Sequence, residues 1–310
     1  MTTDIDHSET RRAGILFAVG TAFISGLAVF INGYGVRAWS EVSDSATYTT
    51  LKNATAALVL IVVTLTAVRR GKVRAPDLSD LRGHWLGLIA VAVIGGSVPF
   101  LLFFEGLSRA SSGDAAFIHK TLIVWVALLA VTLLRERLGA LHLVAIAILV
   151  VGQAVLAGVG GIEFGSGEGM ILAATLLWAV ETVVAKRVLA DVPALTVGIA
   201  RMAGGSVILA GYVLMFSDLS SLAQLTGAHI GWIVVTGLTL AGYVGTWFAA
   251  LARAPAVDVT AVLVGGALMT ALLESGVRDA AIPSPAGVGL VLMGVLLVGS
   301  TAWVRAAQSR

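Results

Sequence analysis

Three cationic side chains stand inside long apolar stretches of the chain: Lys52, Lys120 and Arg201. A charge at the centre of a bilayer costs about 2.5–3.5 kcal/mol on insertion scales, so each marks a candidate site for solute or for an ion pair. Depth separates them. At ~1.5 Å per residue, Lys120 lies roughly 12 Å below the outer end of its stretch, too deep for its stem to reach the interface easily. Lys52 is only about 8 Å deep by the same measure, so its ammonium can snorkel outward. Lys120 is therefore the strongest candidate to neutralise an anionic group on a solute, unless it pairs with Glu105 or Asp114 for stability alone. His119 precedes it, and neighbouring helical residues point about 100° apart, which places His119 at a helix interface. Arg201, about 10 Å from the other end of its stretch, suits a gate, a packing role or an interfacial salt bridge.

Glu181 is the deepest carboxylate, about 9 Å in. A proton-coupled carrier needs a buried carboxyl group of this kind, although Lys186 or Arg187 can equally serve as its counter-charge. Trp178, three positions earlier, shares its helical face. Trp125, Tyr48, Tyr243 and Trp247 offer apolar rings with hydrogen-bonding tips, of which only Trp125, like Trp178, lies well inside its stretch. Pro99, after Gly95 and Gly96, predicts a kink that frees backbone groups, and Tyr243 with Gly242 and Gly245 predicts matching flexibility further along. The solute-binding candidates are thus Lys120, His119, Trp125, Trp178, Tyr243 and Lys52. Glu181, Glu105, Arg201 and Pro99 are the candidates for proton coupling or gating.

No phosphate-binding glycine loop, H-E-x-x-H pair or G-x-S-x-G elbow occurs, and there is no cysteine. ATP-driven transport and common hydrolase chemistry have no motif, and no catalytic residue, cofactor or metal is expected.

These residues need helices to position them. Hydrophobic residues are 58% of the 310 positions and charged residues 12%, about half the charged share of a soluble domain. The apolar blocks approach the ~20 residues a helix needs to cross hydrocarbon, without the alternation of a membrane barrel. They fall at 13–33, 47–68, 84–106, 112–134, 139–159, 169–187, 194–216, 230–252, 256–275 and 285–304. The first follows Arg11 and Arg12 without a small-residue cleavage pattern, which reads as a retained helix. With the amino terminus in the cytoplasm, fourteen of the 20 Lys and Arg fall on that side: Arg11, Arg12, Arg69, Arg70, Lys72, Arg74, Arg82, Arg135, Arg137, Lys186, Arg187, Arg253, Arg305 and Arg310. Only Arg37, Arg109 and Arg278 fall outside, so the positive-inside rule puts both termini, 1–12 and 305–310, in the cytoplasm.

The chain also repeats itself. Leu107-Ser108-Arg109-Ala110 with Asp114 recurs as Leu251-Ala252-Arg253-Ala254 with Asp258, an offset of 144. Lys52 faces Arg201, and Gly152 faces Gly294, at similar offsets. Halves of five helices, 13–159 and 169–304, enter the membrane from opposite sides, which makes the repeat inverted. Ala154/Gly158, Gly169/Ala173 and Ala267/Ala271 offer small-residue packing.

The two halves, the Leu-x-Arg-Ala elements after glycine-rich aromatic spans, and Leu134-Arg135-Glu136-Arg137-Leu138 resemble the EamA-like branch of the drug/metabolite transporter superfamily. In the second half the last element is degenerate near Glu274-Ser275-Gly276. The resemblance implies an all-α integral membrane fold of ten helices in two inverted five-helix repeats. It also implies export or exchange of small metabolites by alternating access through a central cavity. The expected activity is a secondary transporter of an amino acid or organic acid in the inner membrane. A membrane enzyme acting on lipid through Glu181 or His119, or a non-transporting scaffold, is the alternative. The expected partners are a small-molecule solute and membrane lipid, with a homodimer as a possible assembly and no nucleic acid.

Overall fold

A computed structural model of the protein describes residues 2–40, 42–71, 73, 78–110, 112–158, 164–278 and 281–308. Lys72, Arg74 and Arg310, counted in the charge partition, lie outside them. Among the described residues nine helices are long and apolar enough to cross a membrane: α1 (Glu9–Ser40, within a helix beginning at Thr2), α2 (Ser45–Arg69), α3 (Leu81–Leu107), α4 (Asp114–Leu133), α5 (Ala140–Ala157), α6 (Ser166–Val188), α7 (Ala194–Phe216), α8 (Gly227–Arg253) and α9 (Ala256–Val277). The tenth, α10, runs Pro285–Gln308 with its apolar part at Pro285–Ser300. Backbone groups in lipid must be satisfied within the chain, which is why runs of Leu, Val, Ala and Ile with short polar joints become helices here. The joints carry the stop signals: Asp44 accepts from the Thr47 N–H at 2.7 Å to start α2, and Gly158 ends α5 at φ +66°.

Ten crossings return both ends of the chain to one face, called here the amino-terminal face. The halves are interleaved rather than side by side. Helix α1 packs on α8 and α9 of the second half, and α6 packs correspondingly on α3 and α4 of the first. Helices α5 and α10, repeat mates, pack on one another through Gly152 and Gly294. A Cβ on Gly152 would stand 2.9 Å from Val291 Cγ2, and one on Gly294 would stand 2.6 Å from Leu149 Cγ. Close packing between α5 and α10 thus uses these two glycines. Gly158 and Gly169 have no close neighbour to accommodate, Gly158 being the cap of α5.

Four spans are interrupted, and the interruptions ring the middle of the bundle. Helix α3 breaks between Ile94 and Val98, α4 at Thr121 and α9 at Gly265, while α7 widens into a π-turn at Ala200–Gly204. The breaks at Thr121 and Gly265 are 144 positions apart, the repeat offset read from the arginines. Pro99 stands in the first turn of Val98–Leu107, where its missing N–H costs no helical bond, so the kink expected there is present. The flexibility expected around Tyr243 is not present as a break: α8 runs unbroken through Gly242 and Gly245. Glycine in a lipid-spanning helix weakens it without removing a hydrogen bond, whereas proline removes one.

Candidate functional site

The break in α3 leaves two carbonyls without helical partners, and side chains from other helices take them. Gly95 O accepts from Trp178 Nε1 at 3.2 Å, and Gly96 O accepts from Asn53 Nδ2 at 3.2 Å. The break is thereby fastened to α6 and α2, and it aims the short helix Val98–Leu107 so that Phe100 and Phe104 face the bundle axis. Both rings line a cavity of about 210 Å³, together with Ser45, Thr49, Met170 and Tyr212. Ser45 opens α2, and Met170 and Tyr212 stand near the matching ends of α6 and α7, so the cavity belongs to the face opposite the termini.

Lys52 lies one turn beyond Thr49 on α2; it does not line this cavity itself but sits against Phe100 and Phe104, which do. It is 4% exposed, so its stem does not snorkel to the interface as its modest depth allowed. Its Nζ sits 5.2–5.8 Å from the ring centroids of Phe104, Tyr48 and Phe100 and donates to Asn32 Oδ1 at 3.3 Å. Tyr48 is fixed in turn by donating to Thr236 Oγ1 at 3.0 Å on α8. A desolvated cation over a ring gains about 0.5–2 kcal/mol, so three rings can offset the ~2.5–3.5 kcal/mol of burial, yet they leave the charge unneutralised. No carboxylate among the described residues stands within ion-pair distance of Lys52.

Arg201, on the π-turn of α7, lies on the same Phe100 ring, with its guanidinium carbon 5.8 Å from the centroid. Its Nε stands 2.9 Å from Glu181 Oε1, and its Nη2 donates to Oε2 at 3.4 Å. Both residues are buried. The counter-charge of Glu181 is therefore Arg201 and neither Lys186 nor Arg187. Those two bind helix ends instead: Lys186 donates to Leu251 O at 2.5 Å and Ala254 O at 2.8 Å, and Arg187 to Leu133 O at 2.6 Å. Tyr243 stands near the Glu181–Arg201 pair and stacks on Trp247. Arg201 Nη1 is buried without a hydrogen-bond partner.

Lys120 ends the first segment of α4, beside Thr260 and Leu263 of α9, in a second, much smaller cleft. It is half-buried and has no ion pair among the described residues; Glu105 pairs with Arg109 at the exposed rim instead. His119, in the same helical segment Ser112–Lys120, also borders this cleft, while its ring sits at a helix interface as expected. Its ring also packs at 5.3 Å on Phe103 and 5.0 Å on Trp178. Trp125 donates to Thr121 Oγ1 at 3.1 Å, and neither it nor Trp178 lines either cavity.

The amino-terminal face is sealed by groups that sequence reasoning did not select as a site. Asp258, 1% exposed, accepts from Arg11 Nη2 at 2.6 Å and stands 3.2 Å from His142 Nε2. Glu136 receives the free N–H groups at the start of α9, from Ala256 at 2.7 Å and Val257 at 3.3 Å. Asp258 was visible as half of the repeat and Glu136 as part of the Arg-Glu-Arg element. Their partners come from helices far apart in the chain, and no local spacing announces that.

Comparison with known proteins follows the same architecture. A solved crystal structure superposes with a TM-score of 0.75 over 94% of this chain and 97% of its own, at 19% identity, which establishes the shared fold. No curated protein matches the chain. The sequence model of the EamA-like transporter family matches twice, over residues 12–158 and 165–300, one match to each repeat. The protein is an all-α, multi-pass membrane protein with two repeats, and it belongs to the EamA-like transporter family.

Proposed function

We propose that the protein is a secondary transporter of a small polar metabolite bearing a carboxylate, an amino acid or organic acid, working by alternating access between the two repeats. The observation that carries this reading is Lys52: an ammonium buried among three rings, two of which, Phe100 and Phe104, line the 210 Å³ cavity, with no carboxylate partner among the described residues. A buried charge calls for a partner, and a carboxylate entering from the cavity supplies one. Lys120, the stronger candidate by depth, has the same lack of partner but only a narrow cleft beside it. Trp178 supports the site by packing on the Phe100 ring, and Tyr243 by standing near the Glu181–Arg201 pair. The broken helices at Gly95–Ser97, Thr121 and Gly265 are the elements about which the halves reorient. Glu181 couples a proton to the cycle when it releases Arg201. The fourteen-to-three distribution of basic residues supports a cytoplasmic position for the sealed face, and family resemblance favours export across the inner membrane.

Purified protein in proteoliposomes, screened with labelled amino and organic acids with and without a pH gradient, tests this. Flux of an acid should fall at least about tenfold in Lys52→Met, the loss of one charge-assisted contact of about 1.5–3 kcal/mol. Flux that is unchanged in both Lys52→Met and Lys120→Met removes the anionic substrate from the reading. A pH response that survives Glu181→Gln removes the proton coupling.

A further inference from the structure

One face of α2 runs from the cavity into the buried layer. Ser45 and Thr49 line the cavity, and Lys52, three positions further, continues the same row. At ~1.5 Å per residue its backbone is only about 4.5 Å beyond that of Thr49, yet the side chain is buried. The groups that cover it toward the cavity are aromatic. Phe100 and Phe104, one turn apart on α3, line the cavity, and the Lys52 Nζ lies 5.8 Å and 5.2 Å from their centroids. The two rings are held differently. Phe100 packs edge-on against Trp178 at 5.5 Å, and that indole is tied to Gly95 O; Phe100 also carries the Arg201 guanidinium. Phe104 touches the ring of Phe103, its neighbour on the same helix, and otherwise stands between the ammonium and the cavity. A helical phenylalanine has two common χ1 wells, so a ring bordering open space has somewhere to turn. Phe248, the mate of Phe104 at the offset of 144, is fully buried toward the sealed face, whereas Phe104 is partly exposed. The freedom of Phe104 therefore comes from the cavity beside it and not from its place in the repeat.

We propose that Phe104 is an inner door: its ring shields the Lys52 ammonium from the cavity and turns aside when a solute carboxylate arrives, while Phe100, pinned by Trp178, stays as the fixed post. This inference rests on the transport reading above and names the residue that sets access to its cationic site. The rings hold the cation without neutralising it. A carboxylate that displaces Phe104 gives up one cation–ring contact and gains a charge-assisted ion pair in its place. A solute with no anionic group meets the cost of turning the ring and recovers nothing comparable.

The test treats the whole chain, solubilised in detergent, with sulfosuccinimidyl acetate, an anionic amine reagent. Acetylation of Lys52 and Lys186 is followed by mass spectrometry of their peptides, Lys186 at the sealed face serving as the internal control. Phe104→Leu removes the ring and should speed modification of Lys52 about two- to thirtyfold, the worth of one cation–ring contact, with Lys186 unchanged. Phe104→Tyr keeps the ring and should leave both rates at their wild-type values. Should Phe104→Leu lose the wild-type melting temperature, Phe104→Met carries the same expectation. In proteoliposomes the half-saturating concentration of any acid that moves should fall by the same factor in the ringless variant. An unchanged Lys52 rate, or an unchanged half-saturating concentration, overturns the door and leaves the transporter standing. Faster modification of both lysines also overturns it, since the whole bundle has then loosened or turned over. A gain confined to Lys52, with no flux of any acid, leaves Phe104 as the cover of Lys52 and overturns the transport reading instead.

Discussion

The two faces of the bundle are built from mates of the same repeat, yet they are held in opposite ways. On the amino-terminal face, Arg11, His142 and Glu136 of the first half grip Asp258 and the start of α9 in the second. On the opposite face the mate of Asp258 is Asp114, half-buried at the start of α4, and a cavity opens between α2, α3, α6 and α7. At the offset of 144 the positions matching Glu136 and His142 hold Ala280 and Ala286, which carry no group able to repeat the lock. One backbone plan is therefore compatible with either face being shut. Among the described residues a buried lock of this kind is seen on the amino-terminal face, and that asymmetry biases the molecule toward the closed amino-terminal form.

The largest expected effect comes from breaking the sealed face. Removing one partner of a buried ion pair costs about 3–5 kcal/mol, because the other charge is left without compensation. Asp258→Asn should therefore shift the balance toward the open amino-terminal form by roughly two to four orders of magnitude. Since the chain has no cysteine, Thr260→Cys, just below the lock, can report the change by reaction with a membrane-impermeant maleimide added to the amino-terminal side. Asp114→Asn, at the half-buried mate, should change labelling of Ser45→Cys in the cavity far less. Equal effects of the two substitutions would erase the difference between the faces.

A smaller effect is expected at Glu136, and its sign is informative. Burial pushes this carboxyl above the usual carboxylate range, and Asp258 adds to the rise. The Ala256 and Val257 N–H groups and Lys186 pull the other way. The closed form thus holds the Glu136 proton more tightly than an exposed carboxyl does. Its contribution to closure is fully present below the ordinary carboxylate pKa and is lost as pH rises through the raised value. Glu136→Gln keeps an acceptor for the helix start without the burial penalty, so Thr260→Cys should stay protected and lose this pH dependence. Glu136→Ala removes the cap, about 0.5–2 kcal/mol, and should expose the reporter about two- to thirtyfold more.

Much of the scaffold was legible from sequence because it depends on one-dimensional quantities. The length of apolar runs located the ten spans, and a constant offset between Arg109 and Arg253 located the repeat and, later, the paired breaks at Thr121 and Gly265. The site was less legible because it depends on direction around each helix and on which helices touch. Depth marked Glu181 and ranked Lys120 above Lys52, and only packing shows that Arg201 faces Glu181 while Lys52 stays buried against rings. Phe100 was invisible as a site residue, since one phenylalanine among apolar neighbours has no signal until the α3 break turns it onto two cations.

The smallest expected effect lies on the open face. Glu105 and Arg109, four residues apart at the end of α3, form an ion pair with both side chains about half exposed, and Glu105 also borders the cavity. Exposed pairs of this spacing contribute about 0.3–0.5 kcal/mol, little more than a twofold change in any equilibrium they bias. Glu105→Gln should accordingly leave both labelling of Ser45→Cys and solute flux within about twofold of the starting protein. Its position at the rim makes the measurement decisive for the comparison of faces. A loss of flux comparable to that of Asp258→Asn would mean that the rim carboxylate closes the opposite face when the carrier turns over, giving that face an ionic lock of its own. In that case the asymmetry belongs to this one conformation, not to the side chains the two faces possess.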